Sequence, residues 1–307
     1  MVYNDSIIRI EATDSAQRVI DELTGLARSG GKVFRGYNKQ DELLPSLIRE
    51  KTSYTDVEAE LLNDFERYGS HYFHAATPID FMSYAQHFGL PTRLLDFTYN
   101  PFIALSFALH GKKSNGNYKD PADKDYYYIR YASLDENLCV PSIPLRDDIY
   151  NNKLTRTDSL AARAIQCIDS VTDLFGNNML NRSVWTLDGF KDSLENTVSK
   201  QDKIRNKAIL FIDPNQSNQR IIMQQGLFMF PYTLDSSEHL DIIKRNTSVI
   251  MIHKELRSDL LKYLDTLGFS TFRLMPDLAS VCYAVKHKVI DERAEKSPAF
   301  KKKGSGE

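Results

Sequence analysis

Residues 86–96 read QHFGLPTRLLD, and residues 100–110, NPFIALSFALH, follow shortly after them. Asn100 before Pro101 is typical of a helix start, because an asparagine caps free amide groups and a proline fits the first turn. The helix that follows is apolar on nearly every side, which predicts a buried element at the centre of the protein. The polar segment that ends at Asp96 is therefore expected to be anchored to the core.

The rest of the chain predicts an α+β fold, with a mixed β-sheet core and surrounding helices. Apolar residues recur at helical spacing in the segments 16–27, 55–73, 79–88 and 256–267. Runs rich in β-branched and aromatic residues predict strands at 32–35, 126–131, 208–212, 220–230 and 248–252. Gly36 is expected to break the first of these strands and to leave Arg35 at its end.

The 307 residues are enough for one large domain with a sizeable core. We predict a single domain over residues 1–290, with a helical insertion near 135–207 and a disordered tail over 291–307. The insertion contains one clear amphipathic helix, from Ser159 to Phe175, whereas the tail has no apolar periodicity. A polar, glycine-containing segment at 112–124 is expected to be a loop.

Composition limits the classes of partner and compartment. The formal net charge is −2, so a nucleic-acid partner would need a local basic patch. The three cysteines, Cys139, Cys167 and Cys282, form no CxxC or Cys/His cluster, so neither a disulfide framework nor a metal site is expected. No segment has the roughly 18 apolar residues of a membrane helix. These features predict a cytoplasmic protein without a membrane partner.

Arg35 lies between an apolar pair and Gly36. One interpretation is a surface arginine beside a turn. The other is a phosphate clamp, because a guanidinium group presents a planar fork to anionic oxygens and a glycine lets a ligand approach the backbone.

The segment 86–96 adds further polar candidates. Arg93 and Asp96 are one turn apart, which predicts a salt bridge at the entry to the buried helix and leaves ligand binding open as well. His87 is a candidate acid or base, although a lone histidine at a helix end is more often a structural residue.

Gln224 and Gln225 fall within the predicted strand 220–230. Side chains alternate between the two faces of a strand, so one of these amides is expected to line a pocket. Together with Arg35 and the segment 86–96, they predict one polar pocket assembled from distant parts of the chain.

Several common catalytic motifs are absent from the sequence. It contains no Walker loop, no dinucleotide-binding GxGxxG, no HExxH and no GxSxG, which disfavours hydrolases and kinases of the common types. The tyrosines at 126–128 would suit either base stacking or a core strand.

The motifs FRG at 34–36, LPSLIR at 44–49, the segment 86–96, the run 220–228 and LMPDL at 274–278 resemble those of the FRG domain family. Their order and spacing resemble the family from about Lys32 to Lys286, apart from the insertion. Phe97 is a departure, since the family often has tryptophan there.

The first strand of this family is similar to the opening catalytic strand of arginine-type ADP-ribosyltransferases. In those enzymes the arginine supports the phosphates and ribose of NAD, and a glutamate on a late strand stabilises the ribosyl oxocarbenium ion. Gln224 and Gln225 replace that glutamate here, and an amide offers no negative charge to a developing cation. Asp96 is the alternative carboxylate.

The resemblance implies an NAD-consuming, ADP-ribosyltransferase-like enzyme, such as a bacterial toxin or phage-defence effector. Its acceptor would be protein, DNA or RNA, and an inhibitory antitoxin is a possible partner. Arg35 would hold the pyrophosphate, Gln224 the nicotinamide ribose, and Asp96 or His87 would assist transfer. The further residues expected to bind NAD are Gly36, Thr92, Arg93 and Gln225.

Two other functions remain open at this point. A non-catalytic module for a nucleotide or nucleic acid would use Arg35 and Arg93 as anion ligands. An interaction scaffold would use the same polar motifs only to stabilise its own fold.

Overall fold

A computed structural model describes residues 6–50, 54–72, 77–109, 125–141, 206–214 and 219–269, together with part of 161–169 and positions 202, 203, 274 and 282. Its strands form one eight-stranded sheet in the order β1-β8-β4-β2-β3-β7-β6-β5. The β1–β8 and β5–β6 pairs are parallel and the others are antiparallel. The predicted α+β class with a mixed sheet is confirmed. The strands are β1 Ile7–Ile10, β2 Lys32–Tyr37, β3 Leu95–Thr98, β4 Tyr126–Ser133, β5 Leu138–Pro141, β6 Leu210–Asp213, β7 Gly226–Met229 and β8 Ser248–His253.

The helices begin where their sequences provide caps. The side chains of Ser15, Thr77 and Asp235 each accept a backbone N–H at the start of a helix, and Asn100 does the same for Phe102 at the start of the apolar helix. The helices predicted at 16–27, 55–73, 79–88, 256–267 and after Asn100 are confirmed, with ends shifted by a few residues, and the helix predicted at 159–175 is described only in part. The helices are α1 Ala16–Arg28, α2 Ser46–Arg49, α3 Tyr54–Gly69, α4 Pro78–His87, α5 Pro101–Leu109, α6 Gln219–Gln224, α7 Ser236–Asn246 and α8 Arg257–Leu267, with 3-10 turns at Gln40–Leu43 and Lys254–Leu256.

The sheet has a hydrophobic cluster on each face. Val33 and Tyr37 of β2 belong to one cluster, and Phe34 belongs to the other, as strand alternation requires. The first cluster includes side chains of α4 and α7, and the second includes those of α1, α5 and α8. Helix α5 is buried as predicted, with Ala104 and Leu105 completely inaccessible.

Gly36 does not break β2, which continues to Tyr37 in register with β4. The prediction that Arg35 ends a strand is therefore wrong. A Cβ atom at position 36 would lie 1.7 Å from the carbonyl oxygen of Ala104 and 2.9 Å from the amide nitrogen of Ala108. Glycine is needed there because the backbone of α5 packs directly on the strand, and this contact leaves no room for a ligand on that face of Gly36.

The predicted strand at 220–230 is wrong up to Gln225 and confirmed from Gly226 to Met229. Helix α6 ends at Gln224, Gln225 adopts a left-handed conformation with φ of 45°, and only then does β7 begin at Gly226. In α6 Ile221 is buried, whereas Ile222 and Met223 are exposed by 46% and 44%. An apolar run this short fits either a strand or a helix turn by pattern alone.

The described part of the predicted insertion belongs to the core. Strand β5 pairs with β6 at the edge of the sheet, and Ala161, Ala164 and Cys167 are buried in the first cluster. The predicted loop at 112–124 and the tail at 291–307 lie outside the described residues. No helix among the described residues is long and apolar enough to cross a membrane.

Candidate functional site in the central sheet

The sheet opens between β2 and β3. These neighbours share a single residue pair, Phe34 with Thr98, whereas β2 pairs with β4 from Lys32 to Tyr37. Beyond the single pair the two strands separate, and a cavity of about 480 Å³ lies there. This volume falls within the range typical of small-molecule sites. The cavity is lined by residues of β2, β3 and β7 and by the polar side chains of Arg35, Glu42, Ser46, Arg49, Glu50, Gln86, His87, Asp96, Arg220 and Gln224.

Arg35 bridges the two sides of this opening. Its Nε and Nη2 donate to the carbonyl oxygen of Glu42 at 3.3 and 2.6 Å, and its Nη1 donates to the carbonyl oxygen of Asp96 at 2.6 Å. Burial lowers the pKa of Arg35, and the charges of Asp96 and Glu42 partly oppose that shift. Each of its three nitrogens thus already donates to the backbone, so the whole fork is not available to a phosphate.

Asp96 presents an exposed carboxylate on β3. Its Oδ1 accepts a hydrogen bond of 2.8 Å from Nε2 of Gln86. The Gln86 amide is oriented in turn, because its Oε1 accepts from the hydroxyl of Thr92, whose backbone N–H donates to Oγ of Ser46 at 3.0 Å. Thr92 therefore lies behind the cavity wall and acts on Asp96 through Gln86.

The predicted salt bridge between Arg93 and Asp96 is absent. Arg93 is 3% exposed and forms a buried ion pair with Glu58, in which its Nε donates to Oε1 at 2.8 Å and its Nη2 donates to Oε2. Its Nη1 donates to the carbonyl oxygen of Pro231 at 3.0 Å. These bonds hold the side chain of Arg93 against α3 and the segment after β7, so it does not pair with Asp96. It is a structural residue and does not line the cavity.

Two arginines on separate elements complete the cationic wall. Nη1 of Arg220, on α6, lies 3.3 Å from Nδ1 of His87 at the end of α4. Arg49 ends α2, and its Nε is buried without a hydrogen-bond partner among the described residues. Neither arginine forms an ion pair within the part of the chain that the structure describes.

The two glutamines separate onto different surfaces. Gln224 lines the cavity, and its Nε2 donates to the carbonyl oxygen of Leu274 at 2.9 Å. Gln225 instead lines a neighbouring cavity of about 200 Å³, together with Tyr99 and Asp213. Burial raises the pKa of Asp213 and that of Tyr99. The prediction that one of the two amides lines the main pocket is confirmed. The two side chains diverge because α6 ends at Gln224 and Gln225 forms a turn, and not because strand residues alternate.

Residues 31–117 match the family model of the FRG domain. Over these residues the chain is similar to the FRG domain. The resemblance seen in the sequence is confirmed over this range, which includes β2, α2 to α5 and most of the cavity wall. No curated protein and no solved structure matches the chain significantly.

Within the matched range Arg35, Gly36, His87 and Asp96 line the cavity, and Gln224 lines it from outside that range. Thr92 and Arg93 do not line this cavity, and Gln225 lines the neighbouring one. Their catalytic and NAD-binding roles stay predictions. Among the described residues, no cluster of His, Cys, Asp and Glu could hold a metal ion.

The polar lining residues that sequence reasoning missed as candidates include Arg49, Gln86 and Arg220. These three stand inside motifs that carry the FRG resemblance, which is the signal that could have selected them. The sequence did not reveal that Arg49 and Arg220 have no acidic partner among the described residues, since pairing depends on the folded chain.

Proposed function

We propose that the cavity between β2 and β3 binds NAD and that the protein transfers ADP-ribose to a macromolecular acceptor. One observation carries this proposal: an anchored carboxylate, Asp96, shares the cavity with three arginines, Arg35, Arg49 and Arg220. Guanidinium groups suit the diphosphate of a dinucleotide, and a carboxylate suits a sugar that becomes cationic during reaction.

In the proposed reaction the bond between C1′ of the nicotinamide ribose and the nicotinamide nitrogen breaks. Nicotinamide leaves with the bonding electron pair, and a nucleophile of the acceptor forms a new bond to C1′ and releases its proton. The products are nicotinamide, ADP-ribosylated acceptor and one proton, so no other reactant is needed.

Asp96 is the residue to which we assign stabilisation of the oxocarbenium-like transition state. Its negative charge favours the developing cation, and the hydrogen bond from Gln86 fixes its position before the reaction begins. Gln224 can orient a ribose hydroxyl, as the resemblance implies, but it supplies no charge.

The test is nicotinamide release from NAD by the isolated chain, with protein, DNA and RNA offered as acceptors. Asp96→Asn keeps an oxygen for Gln86 and removes the charge, so we expect nicotinamide release to fall by about 100-fold or more. Asp241→Asn, which changes an exposed carboxylate on α7 outside the cavity, is the matched control and should be unaffected. Circular dichroism checks the fold of both variants. If wild type releases no nicotinamide with any acceptor or with water, the transferase proposal fails.

A non-catalytic nucleotide-binding module is the second candidate. It is favoured by Gln224, which lines the cavity with an uncharged amide at the end of α6 and so supplies no carboxylate to a developing cation. NAD binding without any nicotinamide release would support this function over the first.

A further inference from the structure

Arg35 cannot be the main anion ligand of the cavity if its hydrogen bonds are retained. Its Nε, Nη1 and Nη2 each donate to a main-chain carbonyl oxygen, of Glu42 or of Asp96. These bonds tie the 3-10 turn Gln40–Leu43 to β3 across the opening. A positioning residue would have such contacts, because they hold the two walls at a fixed separation.

Arg49 and Arg220 have the opposite environment. Nε of Arg49 is buried and lacks an acceptor among the described residues, and Nη1 of Arg220 contacts a histidine ring rather than a carboxylate. Three acids share the cavity: Oε2 of Glu42 accepts from the N–H of Asn38, Oδ1 of Asp96 accepts from Gln86, and Glu50 forms no ion pair with either arginine among the described residues. Cations in protein cavities are normally paired with acids, so two guanidinium groups that have no acidic partner among the described residues indicate an anionic ligand.

We infer that Arg49 and Arg220 together bind the diphosphate of a nucleotide ligand, and that Arg35 shapes the cavity without being its principal phosphate ligand. Two guanidinium groups held by different helices suit a ligand with two linked anionic groups. Each planar fork can donate two hydrogen bonds to phosphate oxygens. This inference takes the class of its ligand, nucleotides such as NAD, from the proposed function. It does not depend on any catalytic step.

The test measures the binding of ADP-ribose, which contains the diphosphate but cannot release nicotinamide, by calorimetry. Arg49→Gln and Arg220→Gln should each weaken binding by about tenfold or more, because each removes charge-assisted hydrogen bonds. Arg28→Gln, an exposed arginine on α1 outside the cavity, is the control and should bind as wild type. Arg49→Lys should restore little, since a point charge cannot replace the fork.

A second measurement separates ligand binding from a structural role. Arg49→Gln removes an unpaired buried donor, so the melting temperature of the free protein should stay equal or rise, while the increase caused by ADP-ribose should shrink. A structural arginine would instead lower the melting temperature of the free protein.

The outcomes distinguish this inference from the proposed function. ADP-ribose binding that depends on Arg49 and Arg220 supports the inference even if NAD is never cleaved. Nicotinamide release with unchanged ADP-ribose affinity in both variants overturns the inference and leaves the transferase proposal intact. Failure of wild type to bind ADP-ribose at millimolar concentration overturns the inference as well.

Discussion

Arg93 and Asp96 are close in sequence but differ in burial and partners. Arg93 is buried and bonded to Glu58 and to a main-chain carbonyl, whereas the Asp96 side chain is exposed and bonded to the amide of Gln86. Removing one partner of a buried ion pair leaves an uncompensated charge, while removing an exposed carboxylate does not. Arg93 therefore contributes to stability, whereas the carboxylate of Asp96 is available for ligand chemistry.

We predict that Glu58→Ala lowers the free energy of unfolding by about 3–5 kcal/mol. Asp96→Ala, the matched comparison, should cost less than about 1 kcal/mol, because Arg35 bonds to the main-chain oxygen of Asp96 and keeps that contact. Urea unfolding of wild type and both variants measures these differences. Equal losses in the two variants would contradict this assignment.

At the scale of elements, β2 packs directly on α5, and residues of the same strand line the cavity. Gly36 permits that contact, and the neighbouring Arg35 points to the other face of β2, where its bonds join β3 to the 3-10 turn. One strand thus positions both the buried helix and the cavity wall. A shift of α5 relative to β2 would move the opening as well.

Gly36→Ala tests this packing. The added methyl group would overlap the backbone of α5, so we expect a loss of at least about 3 kcal/mol in the free energy of unfolding, at the upper end of the cost of overpacking. Gly25→Ala is the control, because nothing lies within 4 Å of a Cβ atom there and the residue is inside helix α1. That variant should gain about 0.5–1 kcal/mol from the better helix former. A stable Gly36→Ala protein would show that α5 does not pack directly on β2.

At the scale of the whole molecule, a buried histidine makes stability depend on pH. His239 of α7 is fully buried, its Nε2 contacts the carbonyl oxygen of Leu43 at 3.0 Å, and its Nδ1 has no partner among the described residues. Burial lowers the pKa of His239 to about 4, the hydrogen bond to Leu43 opposes this shift, and the charge of Arg35 adds to it. Because Leu43 ends the 3-10 turn to which Arg35 bonds, His239 supports the cavity wall from behind.

We predict that the protein loses about 2 kcal/mol of stability between pH 7 and pH 5 through His239. The folded-state pKa is below the unfolded value of 6.5, so the unfolded chain binds more protons in this window and stability falls as pH falls. His239→Gln, which can donate to Leu43 in the same way, should remove this part of the slope. His71→Gln, at an exposed position, is the control. Urea unfolding at both pH values measures the effect, and an unchanged slope in His239→Gln would contradict it.

Local sequence patterns were enough to predict five of the helices, four strands and part of β7, and four of the residues that meet in the cavity. Capping residues and apolar periodicity are local properties, so they specify α1, α4 and α5 without knowledge of the fold. The motifs that resemble the FRG domain likewise point to Arg35, His87, Asp96 and Gln224.

The partners of these residues depend on the tertiary structure. Arg93 pairs with Glu58, 35 positions earlier, and Arg35 bonds to carbonyl oxygens of two other segments. Nothing in a local pattern encodes these distant contacts. The boundary between α6 and β7 was also decided by tertiary packing, because the short apolar run at 221–223 fits a helix and a strand equally well until one side of it meets the core. Arg49 and Arg220 have no acidic partner in the part of the chain that the structure describes, and the physical origin is the same. Charge is a property of the sequence, but its compensation depends on which groups the folded chain brings together.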